Sequence, residues 1–183
     1  MGTFIALLRG VNVGGRGKVA MAELKAMLAE IGFDAPQSLL QSGNLVFGAR
    51  GGKAEALEKR LHAEITERFA INTELFVRTP DEWRDLVAQN PLKSQAKTDP
   101  ARLHAWVMKQ APDRAAVEAL RAANAKVGGP EIIEARDRVL YIHFPDGAGA
   151  SKLSGLIDRH MPTRGTGRNW NTVLKLLAMV EGV

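Results

Sequence analysis

The sequence predicts an α+β chain in which one pattern, β-α-β-β-α-β, occurs twice. Three observations predict it. Apolar runs of strand length alternate with apolar stripes at helical spacing, two pairs of those runs are joined by tight turns, and each half closes with one more amphipathic helix.

Residues 3–9 are almost continuously apolar, as in a strand buried on both faces. Met21, Leu24, Met27, Leu28 and Ile31 then recur at helical spacing, and Gly32 stands where a helix C′ residue belongs. Ser38–Gln41 and Leu45–Phe47 flank Ser42-Gly43-Asn44, which predicts a hairpin. Leu57, Leu61 and Ile65 mark a second helix ending near Phe69, and Glu74–Arg78 a further strand. Thr79-Pro80-Asp81-Glu82 carries the residues of a helix start, with Trp83, Leu86 and Val87 as the apolar face that follows.

The second half repeats the order. Leu103–Met108 reads as a strand, and Asp113–Val127 as a helix with Val117, Leu120 and Ala123 on one face. Glu131–Glu134 and Val139–Phe144 form a hairpin around Arg136-Asp137. Ser151–His160 is a helix with Leu153, Leu156 and Ile157 inward. A short extended piece near Thr163–Thr166 and a helix from about Asn169 to Val180 complete it. Each unit is expected to be a ferredoxin-like sandwich, an antiparallel sheet with helices on one face and an extra helix after it. The expected domains are 1–90 and 101–183. Residues 91–100, polar, bracketed by Pro91 and Pro100 and without periodicity, would link them.

Between the first strand and the first helix lies Arg9-Gly10-Val11-Asn12-Val13-Gly14-Gly15-Arg16-Gly17-Lys18. Such connectors usually need only about 2–6 residues. Glycines let backbone N–H groups turn towards a ligand, and a following helix N-terminus favours an anion. The net charge of +5 and pI near 9.7 favour anionic partners in general. More telling is where the cations sit: residues 9–18 and 159–175 contain no Asp or Glu, and the second segment holds Arg159, Arg164, Arg168 and Lys175.

Neither standard nucleotide pattern fits. Gly15-Arg16-Gly17-Lys18-Val19-Ala20 matches G-x-G-x-x-A, but its glycines do not follow the strand directly and the next element is a hairpin. A phosphate-binding Walker loop would need glycine at Asn12 and Ser or Thr at Val19. What is left is a backbone nest with Asn12, Arg16 and Lys18 available, or a solvated excursion. Ser42-Gly43-Asn44 serves first as a turn; Ser42 and Asn44 could also donate to a ligand beside the loop. Arg168-Asn169-Trp170-Asn171-Thr172 opens the last helix, which Asn169 or Asn171 can cap. Arg164 and Arg168 before that helix would form a second anion site, or have a structural role only, and Trp170 is expected in the core.

Three stretches together, Ala6–Gly15, Gln41–Phe47 and Arg168–Val173, resemble the bacterial family known as domain of unknown function 1697, over residues 4 to about 180. The resemblance implies an α+β protein of ferredoxin-like pieces and no established activity. Ala20 stands where the family pattern often has proline, which loosens the helix start without removing a chemical group.

Other chemistry finds little support in the residues. The chain has no cysteine, which excludes disulfides, thiolate metal sites and cysteine nucleophiles. His62, His104, His143 and His160 have no partner at ligand spacing, so no metal and no cofactor is expected. Glu131, Glu134 and Asp137 crowd one hairpin and read as a polar strand edge rather than catalytic carboxylates. No catalytic base or nucleophile is identifiable. Aromatic content of 5%, with one tyrosine, argues against base stacking on an exposed sheet. No run approaches the ~20 apolar residues of a membrane span. The start of the chain lacks a leader-like pattern, so a cytoplasmic protein is expected.

The function expected from the residues is binding of a phosphate-bearing ligand, nucleic-acid backbone or nucleotide. Its site would draw on Arg9, Asn12, Gly14, Gly15, Arg16, Lys18, Ser42, Asn44, Arg164, Arg168, Asn169 and Asn171. The alternatives are an enzyme acting on an anionic small molecule, and an interaction protein whose loop closes a homo-oligomer.

Overall fold

The computed structural model of the chain describes residues 2–12 and 18–182. The chain divides into two compact units, Met1–Asp85 with Lys175–Val183, and Leu86–Leu174.

The first unit contains β1 (Gly2–Leu8), α1 (Met21–Glu30), β2 (Asp34–Leu39), β3 (Asn44–Ala49), α2 (Ala54–Phe69) and β4 (Leu75–Arg78), followed by α3 (Pro80–Ala88). The strands form one sheet in the order β2-β3-β1-β4, every neighbouring pair antiparallel. Each helix crosses over one strand's width, and the strand of the other half fills the gap. Phe4, Ala6 and Leu8 of β1 face α1 and α2 together with Leu45, Phe47, Leu75 and Val77, packing on Leu24, Leu28, Leu61 and Ile65. Ile5, Leu7, Val46 and Phe76 on the other face are buried as well. A strand covered on both faces has no reason to alternate, hence the unbroken apolar run.

Local rules end the helices. After α1, Gly32 takes φ +88, its N–H donates to Ala29 (3.0 Å), and the N–H of Phe33 donates to Leu28 (2.9 Å). That is a Schellman stop, with Gly32 at the position the sequence assigns it. At the start of α3, the Thr79 N–H donates to the Glu82 carboxylate (2.8 Å), and the Glu82 N–H donates to Thr79 Oγ1 (3.2 Å). This is a reciprocal capping box with Pro80 at the first helical position.

The second unit contains α4 (Lys93–Thr98), β5 (Leu103–Met108), α5 (Arg114–Lys126), β6 (Ile132–Arg136), β7 (Val139–His143), α6 (Leu153–His160) and β8 (Gly165–Asn169); α7 (Trp170–Glu181) follows, and its residues from Lys175 on are counted with the first unit. The second unit's sheet order, β6-β7-β5-β8, repeats the first. Asp113 caps α5 by accepting from the Ala116 N–H (2.7 Å). Met108, Leu120, Ile133, Leu140, Ile142, Leu153 and Ile157 form its core. Both sheets are therefore of the α+β, ferredoxin-like kind expected, with an extra helix after each.

Several details differ from the sequence expectation, the first being β2, which runs from Asp34 to Leu39 where Ser38–Gln41 is expected. The stretch 91–100 holds the short helix α4, with the Leu92 N–H bonded to Asn90 Oδ1 (2.9 Å). The last strand runs from Gly165 to Asn169, later than the expected 163–166. The reason is Trp106 on β5. A Cβ on Gly165 would lie 2.4 Å from its indole, and one on Gly167 2.6 Å. The two glycines let β8 pair closely beneath that ring, so the pairing extends through Arg168 and Asn169.

Candidate functional site

The glycine-rich segment leaves the sheet at the end of β1 and returns at Lys18 to enter α1. Val13, Gly14, Gly15, Arg16 and Gly17 lie outside the described residues. Its two ends are held by one side chain. Asn12 accepts from the Val19 N–H at Oδ1 (2.9 Å) and donates from Nδ2 to the Val19 carbonyl (2.9 Å). The same Nδ2 donates to the Gln41 carbonyl (2.7 Å). Asn12 itself takes φ +54, a conformation asparagine tolerates better than most residues. So its amide closes the loop and ties it to the β2–β3 turn, rather than projecting to a ligand.

The turn is fitted to the loop base. The Leu8 N–H donates to the Gly43 carbonyl (2.8 Å). Gly43 takes φ +72, and a Cβ there would meet Val11 Cγ2 at 2.5 Å and Leu8 Cβ at 2.7 Å. Glycine is thus required twice over, for its dihedral and for space. Asn44 is fully buried and donates to the Leu39 carbonyl (2.9 Å) and to Ser42 Oγ (3.1 Å). On the other side, the Arg9 N–H donates to the Glu74 carbonyl (2.9 Å), and Thr73 Oγ1 donates to the Arg9 carbonyl. Arg9, Asn12, Lys18, Ser42 and Asn44 are therefore gathered at one end of the first sheet, with Arg9 half-buried and Lys18 exposed. The helix start beside Lys18 has Ala20 at its N-cap and no side chain bonding its N–H groups. That leaves a positive dipole end next to the loop.

The remaining predicted residues belong to the second unit. Arg164 and Asn171 are exposed. Asn169 caps α7, its Oδ1 accepting from the Asn171 N–H (3.0 Å) while its Nδ2 donates to the Ala101 carbonyl. Arg168 takes the structural place that is the alternative to an anion site. It lies inside strand β8, opposite Ala105, and is only 7% exposed. Its Nη1 donates to Thr166 Oγ1 (2.7 Å) and to the Gly167 carbonyl (2.9 Å). Burial pulls its pKa down to about 10, which still leaves it charged at neutral pH. Trp170 is buried, its ring 6.4 Å from that of Tyr141, whose hydroxyl donates to the Leu86 carbonyl (2.7 Å). Burial pushes the Tyr141 phenol up.

Sequence spacing gave no signal for a pairing between His143 Nε2 and Asp99 Oδ2 (2.9 Å), since the two are 44 residues apart. Among the described residues, the Nδ1 of that ring is buried with no partner, while the Asp99 side chain is 38% exposed. Among the described residues, no group of three or more His, Cys, Asp or Glu side chains could hold a metal ion. Nor, among them, is any helix long and apolar enough to cross a membrane.

A family model described as protein of unknown function (DUF1697) matches residues 1–141. Among solved structures, a conserved bacterial protein from Streptococcus pneumoniae is 22% identical, with 98% of each chain covered and a TM-score of 0.71. That likeness shows the fold. A putative chlorite dismutase is 14% identical over 97% of this chain and 100% of its own, but its TM-score of 0.26 carries no argument. No curated protein matches the chain. The match over most of the length, with the doubled sheet order, settles the affiliation: the chain belongs to the DUF1697 family of proteins of unknown function.

Proposed function

We propose that the chain binds a phosphate-bearing anion, nucleic-acid backbone or nucleotide, at the residue 9–18 loop. The observation that carries this reading is the Asn12 clamp, which holds both loop ends against the β2–β3 turn and beside an uncapped helix N-terminus. A loop anchored in this way loses less entropy on binding than a free one. In this reading Arg9, Arg16 and Lys18 supply charge, and Gly14 and Gly15 supply backbone N–H groups. Asn12, Ser42 and Asn44 build the base. In the second unit, Arg164 and Asn171 are the exposed candidates for an additional contact, Asn169 supports their helix start, and Arg168 serves the strand.

The test is fluorescence anisotropy with labelled DNA, RNA and nucleotides across a salt series. Binding with a steep salt slope is expected, losing ~0.9 of that slope for each duplex phosphate contact removed. The double variant Arg16→Ala/Lys18→Ala should lose most of the affinity, and Asn12→Ala should weaken it while leaving the slope nearly unchanged. An absence of binding at low salt, or full binding by the double variant, overturns the proposal. Equal loss in Arg164→Ala would assign the second unit a share.

A further inference from the structure

The two units end their first helices in the same way and then diverge. After α5, the Gly128 N–H donates to Ala125 (3.0 Å) and the Gly129 N–H to Asn124 (2.9 Å), the same Schellman pattern as after α1. In the first unit the residue after the stop glycine is Phe33, buried, with its ring 4.7 Å from Phe47. In the second unit that residue is Gly129, which has no side chain. A cavity of about 150 Å³ opens there, its wall including Asn124, Gly129, Glu131, Asp146, Ser151 and Lys152.

Two acceptor oxygens converge on Gly129. A Cβ at that position would lie 2.1 Å from Asn124 Oδ1 and 2.5 Å from Glu131 Oε2, so one N–H-bearing centre can reach both. Asn124 is 3% exposed; its Nδ2 donates to the Gly129 carbonyl (3.2 Å), and among the described residues no donor reaches its Oδ1. Among the described residues, Glu131 Oε2 is buried without a donor, while its Oε1 accepts from Ser151 Oγ, which in turn accepts from the Leu153 N–H (3.0 Å). The serine thus fixes the carboxylate and leaves its second oxygen unserved. A buried carboxylate oxygen without a donor is costly, and a ligand that brings a charged donor recovers that cost.

We propose that this cavity is a binding site for a primary ammonium head, held by Glu131 Oε2 and Asn124 Oδ1, with Asp146 adding negative charge and Lys152 opposing it at the wall. The ammonium can come from a free amine or from a lysine side chain. The site involves no residue of the 9–18 loop, and its test does not depend on anion binding.

The experiment follows the amide resonances of Gly128, Gly129 and Gly147 in the ¹⁵N-labelled full chain during titration. Propylammonium chloride should give saturable shifts, and propanol at equal concentration should give none. Glu131→Gln, which keeps shape and an acceptor but loses charge, should weaken binding ~10-fold or more. Lys152→Ala should tighten it. Spermidine and Nα-acetyl-lysine amide then separate the two sources by which binds more tightly. Absent saturation in the wild type, equal shifts with propanol, or unchanged affinity in a folded Glu131→Gln protein would each overturn the proposal.

Discussion

Arg78 and Arg168 occupy the same place in their two sheets. Arg78 ends β4 opposite Ile5 of β1, and Arg168 lies in β8 opposite Ala105 of β5. Counting along both pairs, Leu8 with Leu75 corresponds to Met108 with Gly165. Each guanidinium donates from Nη1 to the carbonyl of the preceding residue, Val77 at 2.8 Å and Gly167 at 2.9 Å. Both residues are 7% exposed. A matched pair of buried arginines at one register is what a doubled unit leaves when a structural role is kept in both copies.

Replacing Arg168 with alanine removes a donor from Thr166 and Gly167 and opens a cavity, at a cost of about 2 kcal/mol or more. Lysine should not restore it, because an ammonium lacks the planar fork. The folded-state pKa, lowered to about 10, lies far above neutrality, so the proton stays bound in both states and the loss should not vary between about pH 5 and 8. Urea unfolding at three pH values checks this, and a wild-type midpoint in Arg168→Ala would remove the structural role.

Gly43→Ala places a methyl against Leu8 and Val11 at a backbone φ of +72. Strain and overpacking together predict a loss of about 1–3 kcal/mol. Thermal denaturation measures it, and limited proteolysis should show earlier cleavage within residues 9–20. A stable variant with an unchanged digestion pattern would mean that the turn does not brace the loop base.

His104 gives the pH dependence a sign. Burial lowers its pKa below the usual 6.5, its Nδ1 has no partner among the described residues, and its ring meets Phe144 edge-on at 5.1 Å. As pH falls through 6.5, the unfolded chain takes up this proton before the folded one does, so stability falls with it. The decline stops once the folded ring is also protonated. Urea midpoints at pH 7.5 and 5 should therefore differ less in His104→Leu than in the wild type; equal differences would assign the dependence to other groups.

The sequence by itself determined the elements and their order. Helix spacing, the Gly32 stop and the Thr79–Glu82 helix start depend on neighbours within a few residues, so local chemistry is enough to read them. It also marked the loop, because four glycines and three cations in ten residues stand out without any partner. Only the tertiary structure decided what the polar side chains do. Asn12 is spent on Val19 and on Gln41, 29 residues away. Arg168 is inside because Gly165 and Gly167 admit Trp106 and carry the strand past the expected helix start. Glu131 and Asn124 meet only because a helix stop brings Gly129 between them. Hydrogen bonds and packing act through space, and a residue's type does not name a partner far along the chain.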